Sequence, residues 1–349
     1  MKEAGPSPTA ICSNRLAKVV SLLPLSFLLA TILFSSQAAA GEFDFLTEHP
    51  GKLTATVTVA NHPRKLLSKP DAAAYQRNLE RLRDLLAKQP VFNPPLGVEV
   101  IGYFRPNDSL PKDIRLPVPG FGYLRFHFYH RAAKTGKPVH ICCTTDEIFV
   151  SVNDPGKGFD AYSAVMFPTR AFYQPEQVGR LAGFPVYRMD SGNEIIVLNR
   201  SRSPVWIPVT REEYVTAWLA YWEQHAAGAP PQDTVTPDIV KRHRVVLSGM
   251  PAAERKLQAR THSWDPFEPS LAPVGSDEGR ALVRVNPAWF EEKLPRSAFQ
   301  LISLLFSYTG NLDHEAPGAT EHGDIAPYRV WQALHGSDWA SISGALTDK

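Results

Sequence analysis

Proline recurs at 31 of the 349 positions of this chain, nearly twice the usual share of about 5%. Each proline fixes φ and removes an amide donor, so it ends helices and stays off the central ladders of a sheet. Short strands and helices joined by stiffened loops are expected.

Apolar periodicity places those elements. Gly51 to Ala60 alternates and is rich in β-branched residues, which reads as a strand. Ala72 to Lys88 repeats at the helical period, with Tyr75, Leu79, Leu82, Leu85 and Leu86 in one stripe. On its outer face Glu80 and Arg83, and Asp84 and Lys88, are spaced to pair. Gly120 to Val152 reads as a hairpin or meander: Leu124, Phe126 and Phe128 alternate with Arg125, His127 and Tyr129, Lys134 to Pro138 turns, Val139 to Thr145 returns, and Ile148 to Val152 follows. Pro185 to Met189 and Glu194 to Leu198 flank the turn sequence Asp190-Ser-Gly-Asn193. Ala281 to Val285 and the almost unbroken apolar run Gln300 to Tyr308 complete the strands, the second suited to a buried position.

Helices fill the interval. Thr210-Arg-Glu-Glu213 is a capping box, with Val209 and Tyr214 where a hydrophobic staple sits and Gly228 past the helix end. Tyr214, Trp218, Tyr221, Trp222 and His225 share one face and are assigned to the core, so that Trp222→Ala is expected to cost about 3–5 kcal/mol. Thr236-Pro237 opens a further helix carrying Ile239, Val240, His243, Val246 and Leu247 on one side. A shorter helix is expected within Pro251 to Arg260, and two more in Pro327 to Leu334 and Asp338 to Leu346. No βαβ alternation is evident. The pattern predicts an α+β fold of short, largely antiparallel strands with several helices in the second half.

Lys18 precedes the apolar run Val19 to Phe34, which is followed by Ala38-Ala39-Ala40, the order of a secretory signal peptide. With Pro24 inside it, the run is shorter than the 20 or so apolar residues that cross a bilayer. Residues 1–40 are thus expected to be removed, and residues 41–349 to form a soluble globular region, secreted or periplasmic, with no transmembrane segment left. One large domain is expected, with a possible division within the irregular stretch 261–280. Losing Lys2, Arg15, Lys18 and Glu3 leaves as many basic as acidic residues. Such a chain has no electrostatic reason to bind nucleic acid, and Lys241-Arg-His-Arg244 reads as the solvated flank of a helix.

No complete catalytic or cofactor motif is present, and no cofactor is identified. His314-Glu315 begins an H-E-x-x-H, but Gly318 takes the second histidine position. Cys142-Cys143, the only thiols after processing, lie in an extended context where neighbouring side chains point to opposite faces, which predicts free thiols. A turn centred on Thr135 pairs His130 with His140 and sets both beside Cys142, a set suited to a soft metal. The densest group is the loop Asp313 to Asp324, where His314, Glu315, His322 and Asp324 could coordinate a divalent metal such as zinc. Two functions follow as expectations. The first is non-catalytic binding of a small molecule or protein partner; the alternative is a metal-assisted hydrolase built on residues 313–324.

Overall fold

A computed structural model describes residues 44–59, 67–107, 116–140, 146–156, 171–189, 191–201, 203–230, 232–262, 265, 267–307 and 325–347. In chain order the strands and helices are β1 (Asp44–Phe45), β2 (Leu53–Val57), α1 (Lys69–Ala87), β3 (Val98–Pro106), β4 (Gly120–Arg131), β5 (Pro138–His140) and β6 (Glu147–Val152). There follow β7 (Phe172–Tyr173), β8 (Glu176–Leu181), β9 (Phe184–Arg188), β10 (Glu194–Asn199) and β11 (Trp206–Pro208). The remainder is α2 (Arg211–Gly228), α3 (Val235–Gly249), α4 (Ala252–Arg255), β12 (Arg260–Thr261), β13 (Arg280–Val285), β14 (Leu301–Ser307), α5 (Ile325–His335) and α6 (Trp339–Ile342). The fold is α+β, with mostly antiparallel strands.

The larger sheet runs β2-β3-β4-β6-β14-β10-β9-β8, with β5 paired to β4. One pair in it, β2 with β3, is parallel, and α1 makes the crossover that such a pair requires. Strand β3 is not among those expected from the sequence, which leaves this βαβ unit unexpected, although β3 alternates, with Val98, Val100, Gly102, Phe104 and Pro106 buried. The smaller sheet orders β11-β13-β12, with β7 also on β13.

Helix α1 starts earlier than its periodicity suggested. Ser68 caps it by accepting from the Asp71 amide, and Pro70 sits at the helix start where no donor is needed. Tyr75, Leu79, Leu82 and Leu86 are buried against one face of the larger sheet, where Val100, Phe104, Leu124, Phe126, Val150, Leu304 and Phe306 meet them. Each such side chain contributes about 1.5–3 kcal/mol on burial. On the outer face Arg83 pairs with its neighbour Asp84 at 2.7 Å. Helices α5 and α6 add Val330, Leu334, Trp339 and Ile342 to the same core.

The other face of β10 and β14 is also covered. Ile195, Val197, Leu301 and Leu305 pack with Phe172 and Val283 of the smaller sheet and with Trp289. Burial on both faces explains the unbroken apolar run of β14, all of whose residues from Leu301 to Phe306 are buried. A third cluster seats α2 on β13: Tyr214, Val215 and Trp218 meet Tyr173, Val209, Ala259 and Leu282.

The capping box is present in full. The Glu213 amide donates to the Thr210 hydroxyl at 3.1 Å and the Glu213 carboxylate accepts from the Thr210 amide at 2.8 Å. Gly228 is the last residue of the helix and not a left-handed residue beyond it; Ala229 ends the helix in an extended conformation. The expected helix within Pro251 to Arg260 is confined to α4. Segment 271–280 is tied to the small sheet, the Ala272 amide donating to Arg260 at 2.8 Å.

Candidate binding cleft

The four residues singled out for metal binding, His314, Glu315, His322 and Asp324, lie outside the described residues, as do Cys142, Cys143 and the expected signal peptide, residues 1–40. The β4–β5 hairpin is described, and its register corrects the second metal reading. His140 faces Tyr129, and His130 faces Val139. The turn closes with Ala132 and Lys137 paired at 2.9 Å and Gly136 in the left-handed region at φ 64°, so its centre falls between Lys134 and Thr135. That one-position slip reverses the faces: His130 is not beside His140, whereas His127 is, with ring centroids 5.6 Å apart.

One concavity is a cleft of about 620 Å³ lined by the β8–β9 hairpin of the larger sheet and by β11 and β13 of the smaller one. Its volume falls within the range of about 300–1,000 Å³ typical of ligand sites. The aromatic wall is rigid. The Trp206 ring meets Tyr187 edge-on at 4.9 Å and Phe172 at 6.3 Å, and its indole N–H donates to the Pro155 carbonyl at 3.0 Å. Gln174, Gln177, Asn199, Ser201 and Ser203 supply polar groups.

Arg180 is the charged residue among the described residues lining this cleft. It is exposed, and its guanidinium donates to the Gly183 carbonyl at 2.8 Å, which holds the cation at the tip of the hairpin. Ala182 and Gly183 both take positive φ, 49° and 86°, as a two-residue hairpin turn requires. Burial raises the Tyr187 phenol above its ordinary value and Arg180 opposes the rise, so the phenol stays protonated at neutral pH and acts as a hydrogen-bond donor.

Nothing in the sequence marks these residues as a ligand site. The local signal was weak: Pro204-Val-Trp-Ile-Pro208 is a two-proline frame around a tryptophan, and the cleft is assembled from strands distant in the chain.

A second concavity, of about 370 Å³, is lined by Pro90, Pro94, Leu96, Arg329, Trp331 and His335. Behind it Glu194, with 3% of its side chain exposed, accepts from Arg188 at 3.1 Å and contacts His335 Nε2 at 3.3 Å. Burial pushes the Glu194 carboxyl upward, but the hydrogen bonds from His335 and Arg188 outweigh it and hold the carboxyl below its ordinary value. A depressed folded-state pKa gives stability that is complete above the unfolded value, about 4.3, and lost as pH falls through the folded value. Glu194→Gln should therefore lower stability at pH 7 by about 1.5–3 kcal/mol and flatten the acid limb of a denaturation series. An acid limb unchanged from wild type would show that this carboxylate carries none of it.

Among the described residues, no helix is long and apolar enough to cross a membrane. Comparison of the chain with protein families, characterised proteins and solved structures finds no match. The geometry of the site is thus the basis for a functional reading.

Proposed function

We propose that this is an exported, non-catalytic binding protein whose cleft between the two sheets holds a small molecule bearing a ring and an anionic group. The observation that carries the reading is the pairing of a fixed Trp206–Tyr187 wall with one cation, Arg180, at the rim. A ring stacks on or against the aromatic wall, an anion reaches the guanidinium, and the serine, asparagine and glutamine side chains orient the remainder. Such groups fix a ligand's position; the protonated Tyr187 donates and does not act as a base. The amino-terminal apolar run and its small-residue cleavage site support export.

A thermal-shift panel of aromatic carboxylates and uronic acids tests the reading. At least one compound should raise the melting temperature, and both Trp206→Ala and Arg180→Ala should weaken its binding about tenfold or more. A hit bound equally well by both variants would place the site elsewhere, and a panel without hits would count against the proposed ligand chemistry.

A further inference from the structure

We propose that His127 and His140 form a two-imidazole site for a divalent transition-metal ion, Cu²⁺ or Zn²⁺, on the β4–β5 hairpin. The proposal is independent of the cleft.

His127 and Tyr129 point to the same face of β4 because they are two residues apart. His140 shares that face because it is paired opposite Tyr129. The His127 and His140 ring centroids are 5.6 Å apart at an interplanar angle of 63°. Two imidazoles whose nitrogens lie about 2.0–2.1 Å from a shared ion have centroids about 5 Å apart, close to the separation observed, and His140 is exposed.

His127 is 9% exposed, and its Nδ1 has no hydrogen-bond partner among the described residues. A buried imidazole nitrogen without a partner is an exception that calls for an occupant.

The surroundings suit a cation. Glu99 lies directly across from His127 in the β3–β4 register. Its carboxylate is held by the Tyr129 hydroxyl at 2.5 Å and the Lys52 amide at 3.1 Å. Its negative charge beside His127 favours a cation there. Among the described residues no group of three or more His, Cys, Asp or Glu is placed to hold an ion. Two protein ligands with water completing the shell favour the ions for which imidazole is a good donor, copper ahead of zinc.

Calorimetric titration of the untagged protein with a Cu²⁺ or Zn²⁺ salt at pH 7 tests the site. One ion should bind per chain, copper more tightly. His127→Ala and His140→Ala should each weaken binding by more than the 10–100-fold, roughly, that loss of an outer hydrogen-bond partner costs. His322→Ala and Trp206→Ala should bind as wild type does. His140 is exposed, so its variant reads binding even if His127→Ala fails to fold. A wild-type protein that binds neither ion, or a His140→Ala variant that binds unchanged, would overturn the site. Loss of binding in His322→Ala with retention in His140→Ala would overturn it in favour of the loop 313–324.

Discussion

Trp218→Ala is expected to lower the stability of the protein by about 3–5 kcal/mol, the cost of removing a large aromatic side chain from a core that relaxes only in part. Trp218 is 2% exposed and stands at the centre of the contact between α2 and β13, among Tyr173, Val209, Tyr214, Met250 and Leu282. The expected loss moves here from Trp222. That ring is only partly buried, lying against Tyr221 at 5.2 Å and Phe267 at 5.6 Å, and Phe267 is itself 49% exposed. Trp222→Ala should cost about half as much, since the hydrophobic contribution follows the area removed from water. Paired urea titrations of the two variants measure the difference. Equal losses would mean that the stripe is buried evenly along α2, contrary to the packing described above.

Asn153→Ala should cost about 4 kcal/mol, for reasons of hydrogen bonding and backbone conformation together. Asn153 ends β6 at φ 54° and is 6% exposed. Its amide nitrogen donates to the Val118 and Ala298 carbonyls at 3.0 and 2.8 Å, and its oxygen accepts from the Gln300 and Leu301 amides at 2.9 and 3.3 Å. One side chain thereby joins the approach to β4, the end of β6 and the start of β14. Alanine would take a hydrogen bond from four backbone groups, of which the Val118 carbonyl keeps the Tyr75 hydroxyl, and would sit poorly in a left-handed conformation that asparagine tolerates. Asn153→Asp keeps the acceptor but loses both donors, so it should also destabilise. An aspartate variant as stable as wild type in thermal denaturation would contradict the assigned amide orientation.

What could be read from the sequence was what depends on neighbours in the chain. The capping box of α2 is satisfied by groups three residues apart, and both of its hydrogen bonds form. The expected turn before Asn193 lies between β9 and β10, the Met189 amide donating to the Asn193 carbonyl at 2.8 Å and Gly192 at φ 83° supplying the left-handed step. The apolar run of β14 was legible because burial on both faces writes itself directly into composition. Asn153 was not legible, since Val152-Asn-Asp-Pro-Gly156 looks like any polar turn and the four partners of its amide come from elsewhere in the chain. The cleft was hidden for the same reason, its wall and rim being brought together by pairing between distant strands. In the β4–β5 hairpin the strands were visible but the register was not, because the position of Gly136 within the turn decides it. Shifting the centre by half a residue exchanged His130 for His127.

Strand β14 lies between β6 and β10, yet it is made long after both. Until it emerges from the ribosome, β2 to β6 and β8 to β10 are two unjoined ribbons, each with an open edge where β14 belongs. Closing such distant pairings is slow in any chain. For the proposed export this order is useful: a translocation channel that accepts extended polypeptide meets a nascent chain that cannot complete its sheet early. The same delay leaves two apolar edges exposed to association, so β14 sets both the moment at which the protein becomes a folded cargo and the interval in which it needs protection.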